Sequence, residues 1–599
     1  MRVADYIVEE LHKAGANQVF MITGRGILYL SDAVAKNTDI KNVAMHHEQA
    51  AAYAACACAA YNGKIGACIV STGCGATNAI TGVLSAWQDQ LPCVFISGQN
   101  YLKETVRYTG GTVRTYGQQE NDIISLVKPI TKYAVMLDNP QRAVYEIEAA
   151  LYEATHGRKG PVWIDIPLDI QNARIEPEEM EHFCVEKTTV VENEAEKEAK
   201  LCKLKEELRQ AKRPVLLAGW GIRNANAESE FCEFAENSQI PVVYTSAVPD
   251  LYTWDKDNSI GVVSSMGGSR AGNFAIQNAD FVLSIGSRLS PMTTGEEYDK
   301  FVREGKLFVV DVDEKEHTKN TVSIDMLLPM NIKEFLQNLN ESQVKPEWSV
   351  LSEWRKKCIH WKELFQNDDI IDYDGKKIDL YYLAACLSNQ IPKDSILCTD
   401  AGLEEVILPN NIHFKEGQRC IHPVSQGAMG FALPAAIGVQ QETAATVIAV
   451  IGDGSIMMNL QELATIAYLN LPVKILVINN NGYSIIRKRQ QDMFRTRTIG
   501  NDASDGVGIP DFERIANGFN IHYERIDEFE KLETSLQSVI AQPGAVICEI
   551  ISEPNQTYIH CSYARNQMKK IVKRPLEDQS PYLERELFLR EMVITPINQ

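Results

Sequence analysis

The sequence predicts an α/β protein of several domains built on mainly parallel sheets. Short apolar runs alternate with helix-like segments from end to end, the pattern of strand–helix–strand units. The chain has 599 residues, too many for one hydrophobic core, and at about 100–200 residues per domain three or four are expected. The strand-like runs also fall into three groups set apart by charged stretches.

Taken in order, the N-terminal MRVADYIVEELHKAGA has helical spacing with charges throughout. It lacks the continuous apolar region of a signal peptide. A first domain is expected over 1–180, ending in the buried strand and turn of PVWIDIPLDIQ. A charged stretch runs from Glu178 to Lys212. A second domain, 190–345, opens its strands with RPVLLAGWG and continues with ADFVLSIGS and KLFVVDVD. A Trp- and Lys-rich helical linker at 347–366 leads to a third domain, 366–560. There DSILCTDAG, ATVIAVIGDGS, VKILVINNNG and GAVICEI are the strands. The remainder, 560–599, has no clear period and is expected to be an arm on the surface or on a partner subunit.

Apolar residues make up 45% and charged residues 23%, with a formal charge of −20. Nucleic-acid binding shows a basic footprint, and none is present. No run of 18 apolar residues occurs, so no membrane span is expected. The 14 cysteines form no CxxC pair, which fits buried thiols in a reducing cytoplasm rather than disulfides or a zinc site.

The strongest chemical signal is in the third block. The strand ATVIAVI ends in Gly452-Asp453-Gly454-Ser455, and a helix is expected over roughly Asn459 to Leu469. Pro472 then opens VKILVI, which ends in Asn479-Asn480-Asn481-Gly482. In a β–α–β unit both strand ends lie on one edge of the sheet, where ligands bind. Asp453 and Asn480, 27 positions apart, therefore converge. A carboxylate, an amide oxygen and a backbone carbonyl, here that of Gly482, make a hard oxygen site suited to Mg²⁺ or Ca²⁺. Gly454 and Ser455, at the expected helix start, offer N–H groups to a diphosphate. A lone Gly-Asp-Gly is usually only a turn; this combination is the thiamine diphosphate signature.

With these residues the chain resembles the acetolactate synthase branch of thiamine diphosphate enzymes. The resemblance runs through VFMITGRGILYLSDAV, HHEQAAAYAA, STGCGATNAITGVLSAWQDQLPCVFISGQ, GAMGFALPAAIGV, IGDGSIMMNLQELATI and LPVKILVINNNGYSIIR. It implies three stacked α/β domains: pyrimidine-binding, central and diphosphate-binding. The ending RPLEDQSPYLERELF is closer to acetolactate-synthase-like proteins of surface-polysaccharide loci. By resemblance Glu48 contacts N1′ of the cofactor's aminopyrimidine, the Gly427 carbonyl accepts from its 4′-amino group, and Met429 wedges between the cofactor rings. Gln119 matches a glutamine close to the reacting carbon. The same matching assigns Gly24, Thr72, Asp400, Ala401, Gly402, Gly452, Tyr483 and Ser484 to the cofactor site. It also implies a homodimer, or a homotetramer built from it, with active sites between subunits.

The sequence departs from that family in three places. The usual Gly-Gly pair reads Gly24-Arg25, an active-site phenylalanine falls on Gln118, and a Gly-Ala-Arg-Phe-Asp-Asp-Arg stretch reads Gly286-Ser287-Arg288-Leu289-Ser290-Pro291-Met292. The third puts FAD in doubt, although Gly219-Trp220-Gly221 and Met266-Gly267-Gly268 leave it possible as a structural group. The expected activity is decarboxylation of a 2-oxo acid, pyruvate first, with transfer of the two-carbon unit to a carbonyl acceptor. Arg25 joins Glu48 and Gln119 as a catalytic candidate, because its guanidinium suits an anionic substrate group. A nucleotide-linked keto sugar is an alternative acceptor. The same signature also fits a simple decarboxylase, a pyruvate oxidase or a non-catalytic regulatory relative. The retention of Glu48, Asp453 and Asn480 together speaks against the regulatory relative.

Overall fold

A computed structural model describes residues 1–185, 194–366, 369–371, 376–565 and 570–597. Three six-stranded sheets carry the fold, and all of their strand pairs are parallel. The first uses strands from Gln18–Met21 to Val162–Pro167, the second from Pro214–Ala218 to Met326–Pro329, and the third from Ile396–Cys398 to Val546–Ile551. Runs such as VLLA and VIAVIG are buried at every position, as strands covered on both faces must be.

In order of sequence, the strands of the first sheet are arranged 2-1-3-4-6-5, and those of the third sheet likewise. The second sheet is arranged 6-5-4-1-2-3. The first and third domains therefore share a topology although no repeat is visible in the sequence. They pack on each other through the helices Glu48–Asn62 and Ala432–Gln440. Alanine and glycine set this contact: a Cβ on Gly438 would fall 2.4 Å from the Ala54 carbonyl oxygen. Every residue from Ala50 to Ala59 is buried, so the Ala-rich run is an interdomain face.

The described part of the C-terminal segment, expected as an arm, packs along its own chain. It forms the antiparallel pair Tyr563–Arg565 and Ile571–Lys573 and the helix Arg585–Glu591. Side-chain amides strap it to the helix Arg270–Gln277 of the central domain: Asn273 donates to Gln579 at 2.8 Å and Gln277 to Glu577 at 2.9 Å. Glu591 accepts from Lys357 at 2.7 Å and from the Trp361 indole at 3.2 Å. Such contacts leave no periodic apolar pattern, which is why the segment reads as irregular.

Ten of the fourteen cysteines are buried and all are free thiols. Among the described residues no helix is long and apolar enough to cross a membrane.

Candidate active site

The strands Val447–Gly452 and Lys474–Asn479 are direct parallel neighbours, with Gly452 opposite Ile478. Their ends lie side by side, and the Asp453 N–H donates to the Ile478 carbonyl at 3.0 Å. Asp453 is buried, and its carboxylate accepts the N–H groups of Gly454 at 2.6 Å and Gly482 at 2.9 Å. Burial pushes its pKa up to about 6. Asn480 is buried too, and its amide oxygen has no hydrogen-bond partner. A buried acceptor without a donor is costly unless something else fills its lone pairs. An amide oxygen beside a carboxylate is the donor chemistry of a hard divalent cation, so these residues fit Mg²⁺. Gly482 has φ of +107°, and a Cβ there would fall 2.0 Å from the Asn501 carbonyl oxygen. Only glycine serves at that turn.

The helix after Gly-Asp-Gly-Ser begins later than its pattern predicts. A 3₁₀ turn, Ile456–Met458, comes first, and the α-helix is Glu462–Tyr468. The Gly454 N–H turns back onto Asp453, and the Asn459 amide donates to the Gly430 carbonyl at 2.9 Å. The Gly454 bond is local and competes with helix formation there, and the Asn459 bond ties its residue to the Gly430 turn. Gly454 is thus not the first residue of a helix, and its N–H already has an acceptor. A Cβ on it would meet the Tyr483 ring at 2.4 Å.

Asp400 gathers three segments. Its carboxylate accepts from the Ala401 N–H at 2.6 Å, the Gly430 N–H at 2.9 Å and the Ser455 hydroxyl at 2.7 Å. It is fully buried, which raises its pKa to about 7. Gly402, with φ of +90°, and Gly452 both face the Glu404 carboxylate, which a Cβ would meet at 2.8 and 2.5 Å. Glu404 is buried, and burial followed by Asp400 keeps its carboxyl protonated well above the usual range. No local pattern in the chain singles this glutamate out. Ser484 is buried at the start of the helix Ser484–Phe494. Gly427, with φ of +57°, and Met429 lie open on the surface, with Met429 38% exposed.

The N-terminal candidates form a second cluster. Glu48 is the first residue of its helix, capped by the His47 ring, which accepts the Gln49 N–H. Its carboxylate is half-buried and accepts from Asn78 at 2.9 Å. A Cβ on Gly75 would lie 3.3 Å from the other carboxylate oxygen, and one on Gly24 would lie 2.4 Å from the Ser71 hydroxyl. Gln119 has φ of +63°, and its carbonyl oxygen occupies the space where a Gly73 Cβ would be. Thr72, buried, donates to Gln99 at 2.8 Å. Arg25 and Gln118 are exposed, 3.4 Å apart between Nη1 and Oε1. The loops at 24–26, 71–75 and 117–119 therefore meet beside Glu48.

The two clusters are joined by residues that sequence reasoning missed. Glu462, fully buried, accepts the N–H groups of His46 at 2.9 Å and His47 at 3.1 Å. Asn459 donates to Gln49 at 3.2 Å. The only available signal for Glu462 was a lone charge within the apolar helical stretch LQELATIAY.

A cleft opens where the three domains meet, lined by Asp89, Trp220, Ser246, Ser287, Arg288 and His422 among others. The Trp220 indole N–H and the Ser246 hydroxyl have no partner. The glycines expected to wrap a dinucleotide are closely packed against neighbouring atoms. Cβ atoms on Gly219 and Gly221 would meet Gly286 at 2.4 and 2.7 Å, and one on Gly267 would meet the Val406 carbonyl at 1.9 Å.

Comparison with known proteins covers nearly the whole chain. Three family models match: "Thiamine pyrophosphate enzyme, N-terminal TPP binding domain" over residues 1–126, its central domain over 201–339, and its C-terminal TPP binding domain over 400–550. The chain is 30% identical over 559 residues to the acetolactate synthase isozyme 2 large subunit of Escherichia coli, covering 92% of this chain and 95% of that protein. It is 30% identical over 571 residues to the acetolactate synthase large subunit of Corynebacterium glutamicum, covering 93% and 88%. The acetolactate synthase large subunit of Porphyra purpurea is 28% identical, with 97% of each covered.

Proposed function

The chain belongs to the acetolactate-synthase-like branch of thiamine pyrophosphate enzymes, and from that premise we propose that it decarboxylates a 2-oxo acid, pyruvate first, and transfers the two-carbon unit to a carbonyl acceptor. The observation that carries this reading is the buried, unpartnered Asn480 amide oxygen beside Asp453, at the edge of the domain matched as TPP-binding. Asp453, Asn480 and the Gly482 carbonyl would hold Mg²⁺ there, and the cation would neutralise a diphosphate. When bound, thiamine diphosphate supplies the thiazolium carbon on which decarboxylation depends.

The protein's part is binding and proton positioning. Glu48, held by Asn78 at the head of its helix, would share a proton with the aminopyrimidine ring nitrogen. Gly427 and Met429 are open on this chain, as is part of Glu48. A reactive site must exclude water, so a second copy of the chain would cover each, giving a homodimer or a tetramer built from it. The free thiols suit a cytoplasmic enzyme. FAD, if held in the three-domain cleft, would find Trp220, Ser246 and Arg288 as polar contacts and would be structural, because the carboligation transfers no net electrons.

A second acceptor class is favoured by one observation. Arg25 and Gln118 set a charged, polar pair in the loop cluster beside Glu48, which suits a nucleotide-linked keto sugar or another anionic acceptor better than a second pyruvate. The test is direct. The purified protein, loaded with thiamine diphosphate and Mg²⁺, is given pyruvate with and without candidate carbonyl acceptors. CO₂ release and the mass of the product are measured. No CO₂ from pyruvate or other 2-oxo acids would overturn the reading.

A further inference from the structure

Arg487 lies in the run Arg487-Lys488-Arg489, where nothing in the sequence separates it from its neighbours. The fold does: Arg487 is 6% exposed, whereas Arg489 is on the surface. Its guanidinium makes four hydrogen bonds. Nη1 donates to the Asn481 carbonyl at 2.9 Å and to the Asp502 carboxylate at 3.1 Å. Nη2 donates to the Asn480 carbonyl at 3.2 Å and to the Pro554 carbonyl at 2.8 Å. Two of the four acceptors are consecutive carbonyls of the turn that carries Asn480 and Gly482.

A second loop closes on the same turn. The Asp505 carboxylate accepts the N–H groups of Asn501 at 2.6 Å and Asp502 at 2.8 Å, which folds the loop on itself. Asn501 is fully buried, and its carbonyl accepts the Tyr483 N–H at 2.9 Å. That same oxygen occupies the space a Gly482 side chain would need. The turn 480–483 is therefore held from behind by Asn501 and gripped by Arg487, whose charge is balanced by Asp502 on the second loop.

We infer that Arg487 and Asp502 form a latch that positions Asn480 and Gly482, so that the cation affinity of the site is set partly by a loop some twenty residues downstream. This rests on the reading of Asp453 and Asn480 as a divalent-cation site. With both Asn480 and Asn481 carbonyls committed to the guanidinium, the peptide planes of the turn cannot rotate. The Asn480 side-chain oxygen then stays beside Asp453 without a donor of its own. The ion pair also matters for sign. Without Asp502 the guanidinium is an uncompensated buried cation next to the metal position. Without Arg487 the turn is free to relax. Residues that orient metal ligands typically contribute about 10- to 100-fold in metal affinity.

The experiment uses the full-length protein freed of metal, with thiamine diphosphate present and Mn²⁺ as the paramagnetic probe. Free Mn²⁺ is read by electron paramagnetic resonance, which does not depend on turnover. Arg487→Met and Asp502→Asn should each weaken Mn²⁺ binding by about 10- to 100-fold, and Arg487→Lys by less. The double variant should lose less than the product of the two single losses, because the residues act as a unit. Circular dichroism identifies a variant that has not folded, and Asp502→Asn, which keeps its shape, then carries the test. Mn²⁺ affinity within twofold of wild type in folded Arg487→Met and Asp502→Asn would overturn the latch. Asp453→Asn is the control: if it also binds Mn²⁺ as wild type does, the cation site itself is misassigned, a failure distinct from that of the latch.

Discussion

The Glu462 carboxylate accepts the backbone N–H groups of His46 and His47, at 2.9 and 3.1 Å, and so seats the residue before Glu48 on the opposite domain of the same chain. Glu462 lies nine positions beyond Asp453, in the helix that follows the turn bearing Asp453. The loop bearing the candidate acid and the edge bearing the candidate metal site are thus mechanically one unit.

Removing that acceptor should loosen the loop selectively. Glu462→Ala leaves two part-buried N–H groups unpaired, at a cost of about 1–3 kcal/mol, while Glu462→Gln keeps an acceptor oxygen in place. Hydrogen exchange of peptides covering 46–49 should therefore speed up by about 10- to 100-fold in the alanine variant and change little in the glutamine variant. Equal exchange in all three proteins would show that the contact does not hold the loop.

Glu48 and Asp453 should be separable by subunit mixing. Glu48→Gln is expected to retain thiamine diphosphate but lose most hydrogen–deuterium exchange at the cofactor's C2. Asp453→Ala should fail to retain the cofactor, because diphosphate and protein would face each other without a cation. If sites form between two chains, mixing the two inactive variants should restore about a quarter to a half of wild-type activity per site pair, since one site of each hybrid draws both intact halves. No recovery after demonstrated subunit exchange would argue against shared sites.

Much of this fold was legible because buried parallel strands announce themselves as unbroken apolar runs, and the Asp453–Asn480 spacing reports a β–α–β unit directly. Gly24, Gly482 and Gly402 were legible as glycines but not for their reasons, which are the Ser71 hydroxyl, the Asn501 carbonyl and the Glu404 carboxylate. Glu404 and Arg487 were not legible at all, and Glu462 showed only as a lone charge in an apolar helical stretch. Glu462 and Arg487 are buried with partners that the fold brings close, as with Glu462 and His46, 416 positions apart, whereas Glu404 is buried with its carboxyl kept protonated. The C-terminal strap escaped for the same reason: its side-chain amide bonds to a helix of the central domain leave no period to detect.

A pH dependence follows from Asp165. It is fully buried on the last strand to enter the first sheet, accepting from the Ser97 hydroxyl at 2.6 Å and from Gln99 at 3.2 Å. Burial raises its pKa to about 7, against the pull of those two donors. The unfolded chain releases this proton near pH 4. Between about pH 4 and 7 the folded protein thus binds more protons than the unfolded one, and stability falls as pH rises. The contribution is present in full below pH 4 and lost above pH 7, and it is at most on the order of 4 kcal/mol. Because Gln99 also accepts from Thr72 at 2.8 Å, the titration reaches the floor of the candidate site. Asp165→Asn should flatten the dependence of the first thermal transition on pH between 5 and 8. An unchanged slope would mean that another group sets it.

Arg25 tests the acceptor. It stands at the start of the 3₁₀ turn Arg25–Ile27, exposed, with its guanidinium 3.4 Å from the Gln118 side-chain oxygen. Both residues belong to the loop cluster that meets beside Glu48. Among the described residues Arg25 has no carboxylate partner, so the guanidinium keeps donors free. Arginine remains charged at any working pH and can bind a carboxylate or phosphate through two donors. At an exposed position such a bond contributes near the low end of its range, about 1.5 kcal/mol, or roughly tenfold in affinity. Arg25→Gly should therefore raise the KM of the anionic substrate about tenfold while leaving thiamine diphosphate binding and the rate of CO₂ release at saturation unchanged. Removing the side chain also widens the pocket, so the product mixture should shift towards condensation of two pyruvates. Steady-state kinetics with donor and acceptor varied separately, and mass analysis of the products, measure both effects. If neither KM nor the product ratio moves, Arg25 points into solvent and the acceptor is selected elsewhere.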